Sequence, residues 1–335
     1  MQRIRFDMMG NDAKLQGRFA RMEHHDSHPF RAGCIFAGAI GALAGAWWLR
    51  HLTARAVRAW RPGRGKFVPT GRLVTRVAGS GEPVFVLLHG LVASGETFGS
   101  AYDSLADAGT LVVPDLLGFS RSMDREREDF TLDDHLNALD EMMATLGFSK
   151  ARLVVGGHSF GGLLTLHWAA RHAGRVDRVV TWGAPLFRND EEGRERLGEM
   201  GMLERLFAQD SKLARKSCEV MCAFRQAAGW LAIALSPDLP VAVSRRAVLH
   251  TWPAYRGALE IFFDDWQRAL ARLAEEKVPI RLVAGTEDQS QVPGLREQLA
   301  RDYANIETRT IPDAAHIITL THPASCAKDM QLKRV

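Results

Sequence analysis

Between Asp26 and Glu82 the chain has no acidic residue, although it carries Arg31, Arg50, Arg55, Arg58, Arg61, Arg64, Lys66, Arg72 and Arg76 there. A net charge of +4 hides this asymmetry. Cysteine is scarce. The four residues Cys34, Cys218, Cys222 and Cys326 show no disulfide-framework spacing. Cys218 and Cys222 stand four apart in a helical pattern and so share a face, but a metal or redox pair needs further ligands or a CxxC spacing. Buried free thiols are the expectation. HExxH, CxxC and Walker patterns are missing, so neither a metal, a cofactor nor a nucleic acid partner is expected. Internal repeats and low-complexity blocks are also lacking. What remains is ordinary globular composition, 46% hydrophobic and 24% charged over 335 residues, enough for a sizeable core.

Residues Ala32 to Leu49 form an uncharged run of 18, the lower edge of what spans a bilayer, and much of it is Ala and Gly. A removable signal peptide is disfavoured by the long polar lead and by the lack of a clear small-x-small cleavage site. A single anchor remains open, with Trp47 and Trp48 at the interface; the arginines beyond then lean toward a cytoplasmic catalytic domain. Also open is a helix lying on a membrane or on the protein itself. At helical spacing Leu49, Leu52, Ala56 and Trp60 fall on one side, and Arg50, Arg55, Arg58 and Arg61 on the other. Membrane association through residues 32–61 is the expectation carried forward; without it the protein is expected in the cytoplasm.

From Lys66 onward, short apolar runs alternate with helical patterns, which predicts an α/β fold with a mostly parallel central sheet flanked by helices. Strands are expected at Leu73–Val77, Pro83–Leu88, Thr110–Pro114, Arg152–Val155, Val176–Trp182, Ile280–Ala284 and Ile306–Ile311. Helices are expected at Thr97–Ala108, Leu132–Leu146, Phe160–His172 and after Pro323. Thr131 with Asp134 reads as a capping box. From about Leu186 to Glu276 the alternation stops and only helical patterns occur. An all-helical insertion in such a chain is most simply a lid over the strand ends. Three parts result: an N-terminal extension, 1–65; a core, 66–186 and 277–335; and a helical cap, 187–276.

Gly157-His158-Ser159-Phe160-Gly161 fits GxSxG. As a bare pentapeptide this is a common pattern, but here a strand leads into it and a helix leaves it, which is the elbow the motif requires. Glycines flank the serine because side chains there would collide with the crossing strand and helix. A serine hydroxyl needs a base beside it. Of the 12 histidines, only His250, His316 and His322 lie beyond the helix that follows Ser159. His316 follows a predicted strand, whereas His250 falls within the helical insertion and His322 begins the last helix.

From about Leu73 to the end, leaving aside the cap, the sequence resembles the α/β-hydrolase superfamily. The resemblance rests on His89-Gly90 after a strand, Asp115 with Gly118 and Ser122, the Ser159 elbow, Gly285-Thr286-Glu287-Asp288 after a strand, and Ala315-His316. It implies an α/β-hydrolase fold with Ser159 as nucleophile, His316 as general base and acid, and Asp288 as the residue that orients the imidazole. Glu287 is the competing acid. The oxyanion hole is then expected from the backbone N–H groups of Leu91 and Phe160, with His89 supporting the loop. Relatives that open epoxides or displace halide use a carboxylate nucleophile, and Ser159 occupies that position.

The implied activity is carboxylic ester hydrolysis through an acyl-enzyme, with a small hydrophobic or lipid-like ester as substrate. Carbon–carbon bond hydrolysis, perhydrolysis and a ligand-sensing role on the same fold stay open. Apolar side chains of the cap (Met200, Met202, Leu203, Leu206, Phe207, Trp230, Leu231, Leu235, Trp252, Tyr255, Phe262, Phe263, Trp266) are expected mainly to pack the cap, the remainder lining an acyl pocket.

Overall fold

Strands β1 (Lys66–Thr70), β2 (Leu73–Gly79), β3 (Val84–Leu88), β4 (Thr110–Asp115), β5 (Leu153–His158), β6 (Val176–Trp182), β7 (Ile280–Gly285) and β8 (Ile306–Ile311) form one sheet in the order β1-β2-β4-β3-β5-β6-β7-β8. The computed structural model describes residues 43–199 and 212–331. Pairing is antiparallel from β1 to β2 and from β2 to β4, and parallel everywhere else. Central strands read as continuous apolar runs because both faces are covered. Val84, Val86 and Leu88 enter the apolar cluster on one face, and Phe85 and Leu87 the cluster on the other. This is the period of two that a strand imposes on its side chains.

The flanking helices are α1 (Leu132–Thr145), α2 (Phe160–Arg171), α9 (Leu295–Asp302) and α10 (Pro323–Met330). Thr131 caps α1 through the Asp134 N–H, and Asp134 returns a bond to the Thr131 N–H, so the expected capping box is present. Between β6 and β7 the described residues hold helices only: α3 (Asp190–Glu199), α4 (Lys212–Ala223), α5 (Arg225–Leu235), α6 (Val241–Ala247), α7 (Trp252–Ile261) and α8 (Trp266–Glu275). These helices reach the strand-end loops at several points. Ser120 N–H donates to Leu249 O at 2.6 Å, Phe119 bridges His250, and the Phe262 ring stacks on Phe160 with centroids 5.9 Å apart.

Two expectations are revised. The segment Thr97–Ala108 is not one helix: 3-10 turns at Gly95–Thr97 and Ser100–Tyr102 precede a short helix, Asp103–Ala106. Gly99 lets the backbone press against Arg61, whose carbonyl accepts the Ser100 N–H at 2.8 Å, and this diverts the chain. The helix expected to carry Leu49, Leu52, Ala56 and Trp60 on one face is also interrupted. Ala54 is extended at φ −59°, ψ 129°, and a new short helix, Arg55–Ala59, begins after it. Leu49 and Leu52 are exposed while Ala56 is buried.

The chain divides into a unit of residues 1–49 and a unit that opens at Arg50. Within the larger unit, residues 50–65 pack on the body. Arg50 pairs with Asp238, His51 Nδ1–H donates to Pro237 O at 2.8 Å, and Trp60 Nε1–H donates to Glu96 O at 2.7 Å. Residues 32–42 of the apolar run, Cys34, and Met200 to Phe207 of the cap lie outside the described residues. Among the described residues no single helix is long and apolar enough to cross a membrane. Cys218, Cys222 and Cys326 are free thiols; Cys218 and Cys326 are buried as expected, whereas Cys222 is half-buried.

Candidate active site

Register brings the carboxyl ends of the parallel strands to one edge. Leu88 pairs with Gly157, His158 with Trp182 and Gly285 with Ile311, so the loops after β3, β5, β6, β7 and β8 converge. Ligands bind at this edge in open α/β sheets.

Ser159 is the residue between β5 and α2. Its backbone sits at φ 53°, ψ −121°, outside the ordinary regions for an L-residue. The neighbouring glycines make that turn feasible. A Cβ on Gly157 would lie 2.1 Å from Gly161 O, and one on Gly161 would lie 2.2 Å from Leu88 O and 2.4 Å from His89 O. Gly161→Ala is therefore expected to cost about 3 kcal/mol or more, because rigid backbone has to move. Gly174, with open space around its missing Cβ, supplies the control. Urea midpoints for Gly161→Ala and Gly174→Ala that coincide would refute this account of the elbow.

Three side chains meet at the turn. His316 Nε2 is 2.9 Å from Ser159 Oγ, and His316 Nδ1 is 3.0 Å from Asp288 Oδ1 and 3.2 Å from Oδ2. A carboxylate only accepts, so Nδ1 carries the proton and Nε2 is left to accept from the serine hydroxyl. Asp288 is buried. Burial alone pushes its carboxyl up, but hydrogen bonds from His316 and Ser290 outweigh this and hold it below its ordinary value. Asp288, rather than Glu287, is the carboxylate brought to the imidazole.

Some supporting residues were not singled out in the sequence. Ser290 donates both its N–H (3.1 Å) and its hydroxyl (2.6 Å) to Asp288 Oδ1. His158, the variable residue before the serine, donates Nε2–H to His316 O at 2.8 Å. Burial and then the neighbouring His316 lower its pKa to about 3, which keeps it neutral. Gly183, after β6, has φ 61°, and a Cβ there would sit 2.9 Å from Asp288 Oδ2. The sequence signal for all three was only adjacency to a motif or a strand end.

Leu91 and Phe160 both flank Ser159. Phe160 opens α2 immediately after it. Leu91 follows Gly90, whose missing Cβ would lie only 3.3 Å from Ser159 Cβ. The loop is held from below by His89, which is buried. Its Nε2 accepts Leu116 N–H at 2.9 Å, and its Nδ1–H donates to Gly90 O at 2.8 Å. Burial lowers its pKa, in keeping with a neutral ring. Asp115 fastens the adjacent loops: its Oδ1 accepts Gly95 N–H at 2.7 Å and its Oδ2 accepts Arg121 N–H at 3.0 Å. His250 and His322, the other candidate bases, lie elsewhere; His250 packs against Phe119, Tyr255 and Cys218.

Above the loop, Ala214, Cys218, Trp252 and Tyr255 form an apolar cluster with Leu91, Val92, Cys222 and Leu259. It joins α4 and α7 to the segment carrying Leu91. Trp252, Tyr255, Phe262 and Trp266 are buried, in agreement with a packing role, but Trp230, Leu231 and Leu235 are exposed. Among the described residues no group of His, Cys, Asp and Glu has the geometry of a metal site.

A family model described as alpha/beta hydrolase fold matches residues 83–323. The human serine hydrolase BPHL is 34% identical over 119 residues, which cover 34% of this chain and 40% of that protein. Epoxide hydrolase 3 of Xenopus tropicalis is 32% identical over 105 residues, 31% of this chain and 28% of that protein. Among solved structures, a thermophilic esterase from Thermogutta terrifontis superposes with a TM-score of 0.55 at 21% identity, covering 77% of this chain and 91% of that one. The matched stretch thus spans well under half the length of these curated relatives, and the structural likeness concerns the fold.

Proposed function

The chain belongs to the α/β-hydrolase fold family, and from that premise we propose that it is a serine hydrolase that cleaves carboxylic esters with an apolar acyl group. The observation that carries this reading is the line Ser159 Oγ–His316 Nε2 (2.9 Å) and His316 Nδ1–Asp288 Oδ1 (3.0 Å) on a strained strand-to-helix turn. In it, Ser159 Oγ attacks the ester carbonyl carbon as its proton passes to His316 Nε2. The N–H groups of Leu91 and Phe160 stabilise the negative oxygen that forms, and each such donor is worth about 2.7–4 kcal/mol in the transition state. Collapse breaks the ester C–O bond, and His316 returns the proton to the departing alkoxide. Water, deprotonated by the same imidazole, then releases the acid and frees Ser159.

A serine nucleophile directs this chemistry to acyl transfer and away from epoxide opening. The apolar ceiling of Ala214, Cys218, Trp252 and Tyr255 above the Leu91 loop supports a hydrophobic acyl group over a charged one. The test is labelling by a fluorophosphonate, followed by hydrolysis of nitrophenyl esters of increasing acyl length. Covalent labelling and a rate that rises with chain length are expected. An unlabelled wild-type protein would overturn the nucleophile, and a preference for acetate over all longer esters would overturn the apolar acyl site.

A further inference from the structure

Helices α4 and α5 are apolar on the side that faces away from the protein. Leu213, Val220 and Phe224 recur at i, i+7 and i+11, so they line one stripe of α4 and its end. Trp230, Leu231 and Leu235 recur at i, i+1 and i+5 along α5. Phe224 is 68% exposed, Trp230 and Leu235 65%, and Leu213 62%. The opposite sides are buried through Ala214 and Cys218 in α4, and Ala228, Gly229 and Ile233 in α5. A helix that is apolar on both sides is ordinarily a buried element, yet here these outer side chains are exposed. The two helices meet at 112°, and the elbow between them holds an open cavity of about 560 Å³ lined by Phe224, Ala227 and Leu249.

The surroundings decide what covers it. Lys212, Arg215, Lys216, Arg225 and Arg245 lie along or beside these helices, and the Arg245 guanidinium stands 5.8 Å from the Trp230 ring centroid. Among the described residues of these two helices and their ends, Glu219 is paired with Arg215 (2.9 Å) and lies 3.9 Å from Lys216, and Asp238 is paired with Arg50, so cations outnumber acids, with Lys212, Arg225 and Arg245 in excess. A rim of cations around exposed Trp, Phe and Leu matches a lipid interface with anionic headgroups, where the rings and alkyl groups enter the acyl boundary and the cations meet phosphate.

We propose that the outer face of α4 and α5 is a docking surface for an anionic membrane. Through Ala214 and Cys218 the inner side of α4 is part of the ceiling over the Leu91 loop, so docking sets the candidate site against the bilayer. That consequence rests on the proposed ester hydrolysis; the docking itself does not.

The test is flotation of the full chain with vesicles of phosphatidylcholine, with and without phosphatidylglycerol. Wild type is expected to float with the anionic vesicles. The variant Phe224→Ser, Trp230→Ser, Leu231→Ser is expected to bind about tenfold more weakly or worse, with its turnover of a short soluble ester unchanged. Ser159→Ala is expected to float like wild type, so failure of docking and failure of catalysis read separately. Equal flotation of wild type and the triple variant would overturn the proposal, as would a wild type that does not float. A wild-type dimer in sedimentation that the triple substitution renders monomeric, without vesicle binding, would assign the face to a second copy instead.

Discussion

Ser159→Ala is expected to fold as the wild type does and to lose about 10⁵-fold or more in ester turnover. The size follows from the division of labour at the elbow. Without Oγ no covalent intermediate forms, and His316 Nε2, 2.9 Å away, has no hydroxyl to deprotonate. On the proposed mechanism the N–H groups of Leu91 and Phe160 are expected still to polarise a bound carbonyl and so to leave a residual rate above that in water. Removing one small oxygen leaves the backbone at φ 53° to be held by the packing of its neighbours. Pre-steady-state and steady-state rates on a nitrophenyl ester, with circular dichroism as the folding control, measure the effect. Turnover within tenfold of wild type would remove Ser159 from the mechanism.

Asp288→Asn is expected to lower kcat by about 10⁴ at neutral pH with little change in overall fold. Ser290 donates to Asp288 Oδ1 from both its backbone and its hydroxyl, so the carboxylate is fixed with Oδ1 3.0 Å and Oδ2 3.2 Å from His316 Nδ1. An asparagine that presents its NH₂ group to Nδ1 favours the imidazole tautomer with the proton on Nε2. That tautomer cannot accept from Ser159. The depressed carboxyl pKa also has a stability consequence with a definite sign. A group whose folded pKa lies below its ordinary value of 3.8 stabilises the fold above that pH, and the contribution disappears as pH falls through the lower folded value. Melting temperatures of wild type are thus expected to fall more steeply below pH 3.8 than those of Asp288→Asn. A kcat within tenfold of wild type would mean that another group orients His316.

The sequence carried the strand pattern well where both sheet faces are covered. Val176–Trp182 appears with the bounds expected of it, as does the edge strand Ile306–Ile311, whose IETRTI pattern is only partly apolar. Strand β1 was not legible. Lys66–Thr70 contains a proline and pairs on one side only, and an edge strand has no reason to be uniformly apolar. The long helix expected from Thr97 failed for a different reason: the Arg61 carbonyl, far away in sequence, captures Ser100 N–H. In the cap, aromatic residues at helical spacing looked alike. Only packing separated Trp252 and Trp266, which are buried, from Trp230, which is not.

At the site, the order Ser159, Asp288, His316 was legible because each follows a strand that ends at the same edge of a parallel sheet. Chemistry of that kind depends on residue type and on strand polarity, both of which local sequence encodes. The supports were decided by tertiary structure alone. Ser290 and His158 act through hydrogen bonds to groups whose positions depend on how β5, β7 and β8 align. The family resemblance already favours Asp288 over Glu287; the loop geometry is what brings its carboxylate to His316 Nδ1. The outward apolar face of α4 and α5 belongs to the same class, since which side of a helix meets the core is fixed only when the core is assembled.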